Sequence, residues 1–585
     1  MLGKRSDQRG LFEADHLYLD FVGRDSFYGF LASQRGQLFR DEEFAALYVL
    51  DNGCPSVPPS LLATALLLQT YDRVSDEEAK ARADFDLRWK VALGIELGAR
   101  PFAKSTLQLF RSQLVIHEEV GAIFKKSLAF ARQSGYLKQR KIKVALDTSN
   151  ILGRGAVKDT YNLLADGIVK LVRVLADLDG CQPEAWANAN NLSRYFTAAS
   201  IKGEAEVDWE NAKARQRFLA DIVADADRLL EITRQTLTDY LPDSAAYKQL
   251  TEAAELLSRL LLQDIERKPE GASIKEGTAP DRVVSVHDPE MRHGRKSKTK
   301  RFDGHKAAVA VDTQSQLITA VAVLPGNAPD NEKALALVEQ SEQNAEVEVE
   351  ETIGDCAYGD GKTRQQFADA GRKLVAKVPD RPQTGYFAKE DFKIDLETMT
   401  CTCPAGQECR TVAPKGRRQD REGKELKLRV FHFDPAVCDA CSLRAQCVKA
   451  EPGKGRMVTI HPQERLLQEA RAFQKSEAFA PYRAERQVAE HRLARLMQLG
   501  MRQARYFGRV KTLFQLLLAA TVANLTLVAT KVGLMRARGS KKAHLFARFT
   551  ARLVAFMIAF IASVSNIFRR SPPLLCAEAG CRLDS

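Results

Sequence analysis

Three acidic residues stand where secondary structure could bring them together for phosphate chemistry. Residues 141–146 (KIKVAL) have the pattern of a β-strand that ends on Asp147, and a second strand pattern over 347–353 is followed by Asp355. Glu490 lies in a helical pattern further along the chain. Acidic residues at the carboxyl ends of strands in an open α/β sheet face the crevice where ligands bind. Three carboxylates meeting there could hold two Mg2+ ions about 4 Å apart, which activate the attacking oxygen and stabilise the departing oxygen of a phosphodiester.

Taken one at a time, each acid also has an ordinary structural explanation. An aspartate commonly occupies the turn after a strand, and a glutamate commonly lies on the solvated face of a helix. The hypothesis of a metal centre therefore depends on the combination, and it requires all three side chains to meet.

The cysteines suggest a second metal site. Six of the eleven fall between Cys401 and Cys447, and Cys438 and Cys441 have the spacing of a metal-binding knuckle. Because no apolar run follows the polar amino terminus, we expect no secretory leader and a reducing cytoplasm, where thiols bind metals or stay free. We predict a candidate structural Zn2+ site made of Cys403, Cys438, Cys441 and Cys447, with a loop of free thiols as the alternative.

Positive charge is concentrated towards the carboxyl end of the chain. The whole sequence has 87 Lys and Arg against 75 Asp and Glu, a net charge of +12. Residues 481–550 hold 14 Lys and Arg against two Glu, and six of the ten residues over 292–301 are basic. Such clusters favour a polyanionic partner such as nucleic acid, although a solvated basic surface or a flexible basic loop explains them too.

The elements that must position these residues alternate along the chain. Helical patterns fill 40–135, 155–268 and 480–529, and a β-hairpin is predicted over 305–323. A polar, cysteine-bearing stretch broken by Pro and Gly occupies 360–480. A chain of 585 residues exceeds one ordinary core, and this order of elements indicates a single α/β fold carrying two inserts.

Two apolar stretches could be mistaken for membrane spans. Residues 512–530 carry no charge but include Gln515 and Asn524, and we predict a buried core helix there. Residues 553–568 are too short to span, because a spanning helix needs about 20 apolar residues, and we predict an appended apolar helix. With 45% hydrophobic and 28% charged residues, the composition excludes collagen-like, wholly disordered and polytopic membrane proteins.

Several segments resemble the bacterial insertion-sequence transposases that carry a DDE triad on an RNase H-like fold. The resemblance spans most of the chain from 40 to 530, and its parts are 40–120, 141–168 (KIKVALDTSNILGRGAVKDTYNLLADGI), 288–331, 353–364 (IGDCAYGDGKTR) and 485–530. It implies an α/β fold with an RNase H-like mixed sheet flanked by helices. The implied domains are a helical amino-terminal transposase domain over 1–135, a catalytic domain over 136–535 with a helical insert over 155–285 and a Cys-rich insert over 362–478, and a basic and apolar tail over 536–585.

By this resemblance, Asp147, Asp355 and Glu490 are the first, second and third catalytic acids and hold two Mg2+ or Mn2+ ions. Tyr482 and Arg486 fit the residues that precede the glutamate in the family, with one extra residue between them. The sequence departs from the family where a lysine is expected after the glutamate, because position 497 is Met. That leaves the phosphate-contacting lysine unassigned, with Arg495, Arg502 or Lys511 as alternative replacements, and Glu485 is a rival for the third acid.

The implied function is a DNA transposase of an insertion sequence, with metal-dependent cleavage at the element ends and strand transfer into target DNA. We expect double-stranded DNA as the partner, a homodimer on paired ends, no membrane association, and a cytoplasmic, nucleoid-associated location. The expected DNA contacts are Arg295, Lys296, Lys298, Lys300, Arg486, Arg502, Arg505, Arg509 and Lys511. The alternatives are an RNase H-like metal-dependent nuclease without strand transfer and a non-catalytic DNA-binding derivative.

Overall fold

The computed structural model describes most of the chain up to residue 535. The described ranges are 1–5, 12–49, 53–117, 120–197, 199–269, 271–297, 299–379, 385–419 and 425–535. Lys298, the tail over 536–585 and the apolar stretch over 553–568 lie outside the described residues. The described part is a mixed α/β structure.

A six-stranded mixed sheet lies at the centre of the fold. Its strands in chain order are β1 (Lys141–Leu152), β2 (Arg292–Arg295), β3 (Arg301–Asp312), β4 (Ile318–Pro325), β5 (Glu348–Gly354) and β6 (Lys373–Ala376). The spatial order is β4–β3–β1–β5–β6, and β2 continues the β4 edge by pairing with the start of β3. β3 runs antiparallel to β1, β2 and β4, whereas β1, β5 and β6 are parallel.

The first strand is longer than the sequence indicates. The expectation that it ends on Asp147 is wrong, because residues up to Leu152 continue to pair with β3. Its parallel pairing with β5, however, stops at Ala145. The predicted hairpin is confirmed as β3 and β4, and the predicted strand before Asp355 is confirmed as β5.

Helices from both ends of the chain share one core with this sheet. β4 is buried along its length, and it packs against the helix Ala334–Ala345 and the apolar helix Arg509–Lys531. The amino-terminal α-helices, several of which also pack in this core, are Ala14–Val22, Phe27–Leu38, Pro59–Asp72, Asp76–Phe85, Leu87–Leu93, Lys104–Ile116 and Val120–Gln133.

The single long helix expected over 480–529 is instead two helices. The Glu490 helix (Ala480–Leu496) runs into a short π-helical turn, where Gly500 adopts a φ of 98° that only glycine reaches without strain. The following segment is held against the end of β1, since the Ala504 amide donates to the Leu152 carbonyl at 2.7 Å. The chain then turns back into the apolar helix Arg509–Lys531.

That apolar helix is a core element, as the sequence predicts. Among the described residues it is the one helix long and apolar enough to cross a membrane, and 72% of its most apolar stretch is buried. Asn524 is fully buried in it and bonds both backbone groups of Ile318, accepting from the amide at 3.0 Å and donating to the carbonyl at 2.8 Å.

Two further regions have hydrophobic clusters of their own. The first cluster is built on helices Thr160–Leu178, Pro183–Ala189, Ile201–Glu204, Ala212–Thr236 and Ala245–Asp264 with the strand pair Ile265–Lys268 and Gly271–Ile274. The second joins short strands Lys393–Asp395, Thr400–Thr402, Glu408–Cys409, Val412–Gln419, Glu425–His432 and Met457–Ile460 with short helices Pro435–Asp439 and Arg444–Cys447. Helices Gly361–Asp369 and Glu464–Gln474 pack on each other beside the sheet.

Candidate active site

Asp147 and Asp355 occupy equivalent levels on neighbouring parallel strands. Ala145 of β1 pairs with Ile353 of β5, and each aspartate follows two residues later. Side chains two positions apart on an extended chain share a face, and adjacent strands lie about 4.8 Å apart. Asp355 is still extended and accepts a hydrogen bond from the Ala357 amide at 2.8 Å. The register of the sheet therefore sets the two carboxylates side by side.

The Glu490 helix lies along β1 and brings the third acid to the same level. Near its start, Tyr482 has the Lys143 ammonium 5.2 Å from its ring centre. From Tyr482 to Glu490 the helix rises about 12 Å, and from Lys143 to Asp147 the strand rises about 13 Å. Because the two rises match, Glu490 lies level with Asp147 when the start of the helix lies level with Lys143.

The electrostatic effects on Asp147 also indicate that Asp355 and Glu490 lie near it. Burial, together with the negative charges of Asp355 and Glu490, raises the pKa of Asp147 to about 6. The Thr148 amide, which donates to Asp147 at 2.8 Å, and the Arg486 guanidinium oppose this rise. Glu485 is the rival for the third acid. Its charge instead raises the pKa of Lys143, which lies towards the start of β1 and away from Asp147.

The three acids suit a divalent cation but are not preassembled around one. Across the described part of the chain, no three His, Cys, Asp or Glu side chains stand close enough together to hold a metal ion. Glu490 is half exposed and forms an ion pair with Arg486 at 2.6 Å. The donor set nevertheless fits, because all ligands are oxygens and a cation would relieve the repulsion that raises the pKa of Asp147.

A cleft of about 200 Å3 opens beside Asp355. Its walls include two basic side chains that the sequence analysis did not select, Lys377 and Arg483. Unlike Arg486, neither has an ion-pair partner among the described residues. Phe479 and Tyr482 form an aromatic wall, with ring centres 6.2 Å apart. The cleft can therefore accept a phosphate and an apolar ring together, but nothing in the sequence marks Lys377 or Arg483 apart from other basic residues.

The predicted DNA contacts fall into two groups. Arg486, Arg505 and Arg509 are engaged in ion pairs within the chain, with Glu490, with Asp76 at 3.2 Å and with Glu290 at 3.0 Å. The remaining described candidates are exposed, and they are Arg295, Lys296, Lys300, Arg502 and Lys511. Met497, which stands where the family lysine is expected, packs against the core at the π-helical turn.

The four cysteines predicted to bind zinc line one cavity away from the carboxylates. Cys401 and Cys409 do not line it, because they pair with each other across two short strands. All of the cysteines in the described residues are free thiols.

Two segments of the chain match known protein families. Residues 402–529, which include the zinc candidates and Glu490, match a family described as "Transposase DDE domain". Residues 19–113, in the amino-terminal helices, match "Transposase domain (DUF772)". No curated protein and no solved structure matches the chain.

Both matched families are families of transposases. Together they support the identification of this chain as an insertion-sequence DDE transposase. Proteins of this family act on DNA and generally use a divalent metal.

Proposed function

We propose that this transposase cleaves DNA at the ends of its insertion sequence and joins the freed 3'-OH to target DNA. The observation that carries the proposal is that the charges of Asp355 and Glu490 both raise the pKa of Asp147, although the three segments lie far apart in the chain. We assign them as the catalytic and metal-binding acids, holding two Mg2+ or Mn2+ ions.

We propose an RNase H-like core for this chemistry. Three antiparallel strands followed by two parallel strands, in the order β4–β3–β1–β5–β6, support that assignment. The catalytic domain would span 136–535, with a helical insert over 155–285 and a Cys-rich insert over 362–478. The helical domain over 1–135 would precede it, and the tail over 536–585 would follow.

When bound, the cations would lower the charge on the scissile phosphate and activate the oxygen that attacks it. Asp147 and Asp355 would hold them from the sheet, and Glu490 would turn from Arg486 towards them. Lys377 and Arg483 would then bind the phosphates next to the cleavage point, and Tyr482 would pack against sugar or base. One site can perform both hydrolysis and joining, because both reactions are in-line displacements at phosphorus that differ only in the attacking oxygen.

Double-stranded DNA would approach along the basic side chains. The proposed contacts are Arg295, Lys296, Lys298, Lys300, Arg486, Arg502, Arg505, Arg509 and Lys511. These residues would contact phosphates, which gives affinity and salt dependence and little sequence preference. We further propose a homodimer on paired ends, acting in the cytoplasm at the nucleoid and without membrane association.

Strand joining tests the proposal directly. Full-length protein would be incubated with pre-cleaved element ends, target DNA and Mg2+ or Mn2+, with Asp147→Asn and Asp355→Asn as inactive controls. Joined products that disappear in both variants are expected. Cleavage without joining would indicate the nuclease, and DNA binding without any metal-dependent reaction would indicate a non-catalytic derivative.

A further inference from the structure

Four thiols from separate turns face one cavity in the cysteine-bearing region. Cys403, Cys438, Cys441 and Cys447 all line one small cavity, apart from the carboxylate site. They approach from different segments, namely the turn after strand Thr400–Thr402, the helix Pro435–Asp439 and its following turn, and the end of the helix Arg444–Cys447.

The backbone around these cysteines forms tight turns. The Cys403 amide donates to the Gln407 carbonyl at 2.9 Å, and the Gly406 amide donates back to the Cys403 carbonyl at 2.8 Å. Gly406 has a φ of 79°, which suits glycine and closes this turn. Tight turns of this kind hold a sulfur in a fixed direction, as the ligand turns of structural zinc sites do.

One basic residue, Arg456, lies beside the thiols and the backbone that carries them. The Arg456 amide donates to the Cys438 sulfur at 3.4 Å. Its guanidinium donates to the carbonyls of Cys447 at 2.7 Å and Phe387 at 2.9 Å, which brings positive charge beside the cavity.

The two remaining cysteines of the region have other partners. Cys401 and Cys409 face each other across paired strands, and the Cys409 thiol donates to the His432 carbonyl at 3.0 Å. Both are buried in the small hydrophobic cluster beneath the cavity. Cys403, Cys438 and Cys447 pack against the same cluster, but Cys401 and Cys409 do not line the cavity.

We propose that Cys403, Cys438, Cys441 and Cys447 bind one Zn2+ tetrahedrally and that this ion fastens the three turns together. The metal-free side chains are not yet gathered, since within the described ranges no three candidate ligands stand close enough for an ion. Zinc binding would turn the four sulfurs inward into the space that they share. Arg456 would then hold the site from outside through the Cys438 sulfur and the Cys447 carbonyl. This proposal is independent of the strand-transfer chemistry.

The metal content of the full chain tests the proposal. Protein purified under reducing conditions with zinc supplied during expression should hold about one tightly bound Zn2+ per chain, measured by elemental analysis. The double variant Cys438→Ser with Cys441→Ser should lose at least nine tenths of it. The matched control replaces Cys54 and Cys181, which are exposed and lie elsewhere, and should keep the full amount.

A second measurement does not depend on whether the double variant folds. Wild-type protein grown with Co2+ in place of zinc should show thiolate-to-cobalt charge-transfer absorption and the strong visible bands of tetrahedral cobalt. Wild-type protein without bound zinc, or cobalt spectra of an octahedral oxygen site, would overturn the proposal. So would zinc that survives the double substitution.

Discussion

The Tyr482 hydroxyl donates a hydrogen bond to the Glu351 carboxylate at 2.9 Å, which ties the start of the Glu490 helix to strand β5. Glu351 also forms ion pairs with Lys143 of β1, at 2.8 Å, and with Lys373 of β6. These cations lower the pKa of Glu351 to about 2 although partial burial opposes them. One carboxylate thus joins three strands to the helix that carries the third acid.

Glu351→Gln should therefore slow catalysis without weakening DNA binding. Glutamine keeps the shape but loses the charge that holds Lys143 and Lys373, so the helix would be less firmly aligned with β1. We expect the cleavage rate at saturating DNA to fall about 10- to 100-fold, as when a supporting residue of a site is lost. The Kd for element-end DNA should stay within about twofold, because Glu351 does not line the cleft.

A matched control is Glu348→Gln, on the same strand, where the carboxylate pairs with Lys141 on the exposed surface. It should leave both the rate and the Kd unchanged. An equal loss in both variants would contradict a positioning role for Glu351.

Asp147→Asn should stabilise the metal-free protein while abolishing its activity. The pKa of this carboxyl rises from 3.8 in the unfolded chain to about 6 in the folded protein. The protonated group therefore stabilises the fold below pH 4, and this stabilisation is lost as the pH rises through 6. At pH 7 the charged form therefore costs the fold on the order of 3 kcal/mol, and a neutral asparagine removes that cost. Thermal unfolding in a chelator should show a higher melting temperature for the variant at pH 7. At pH 4 the difference should vanish.

Metal dependence should change sharply with pH near the raised pKa of Asp147. Below about pH 6 this carboxyl is protonated in the metal-free protein, so a cation must displace a proton to bind. We expect the Mg2+ concentration for half-maximal cleavage to rise about tenfold per pH unit below 6 and to level off above 7. A half-maximal concentration that stays constant between pH 5 and pH 7 would falsify the assignment of Asp147 as a ligand.

The third acid can be assigned by comparing two glutamates on one helix. Glu490→Gln should lower cleavage and joining by about 1,000-fold or more, as expected for a catalytic metal ligand. Glu485→Gln should retain activity within about tenfold, because that side chain lies near Lys143 rather than Asp147. The reverse ranking of the two rates would make Glu485 the third acid.

Asn524→Leu should destabilise the core. It would leave the amide and carbonyl of Ile318 without partners in a fully buried place, at a cost of about 2–5 kcal/mol. Thr521→Val is the control, because Thr521 is equally buried but bonds only to Leu517 of its own helix at 2.8 Å. It should cost less than about 1.5 kcal/mol in denaturant unfolding.

The sequence predicts the parts of the fold that depend on local pattern. The hairpin β3–β4 and the strand β5 follow from β-rich runs and turn residues, and both were expected within a few positions. The break in the helix at Gly500 was not expected, because the helical pattern of the sequence continues across it. What ends the helix there is tertiary, since the segment after the break bonds to Leu152 at the end of β1. β1 extends beyond Asp147 for a different tertiary reason, because its residues up to Leu152 pair with β3.

The sequence likewise predicts one part of the candidate site and not another. The charges of Asp355 and Glu490 both raise the pKa of Asp147, and a nearness of the three segments was expected from their placement after two strands and on a helix. Their assignment as the catalytic acids stays a prediction. Lys377 and Arg483 could not be anticipated. Lys143 and Arg372 form ion pairs, whereas among the described residues Lys377 and Arg483 form none, and a sequence does not show which charges remain unpaired.

The position of β1 in the sheet also affects the point during synthesis at which the candidate site can be complete. β1 is the first strand of the central sheet to be synthesised, yet it lies in the middle, between strands made much later. Glu490 follows Asp147 by 343 positions. On the proposed assignment, a ribosome-bound chain that still lacks the Glu490 helix would hold only two of the three acids and could not yet cut DNA.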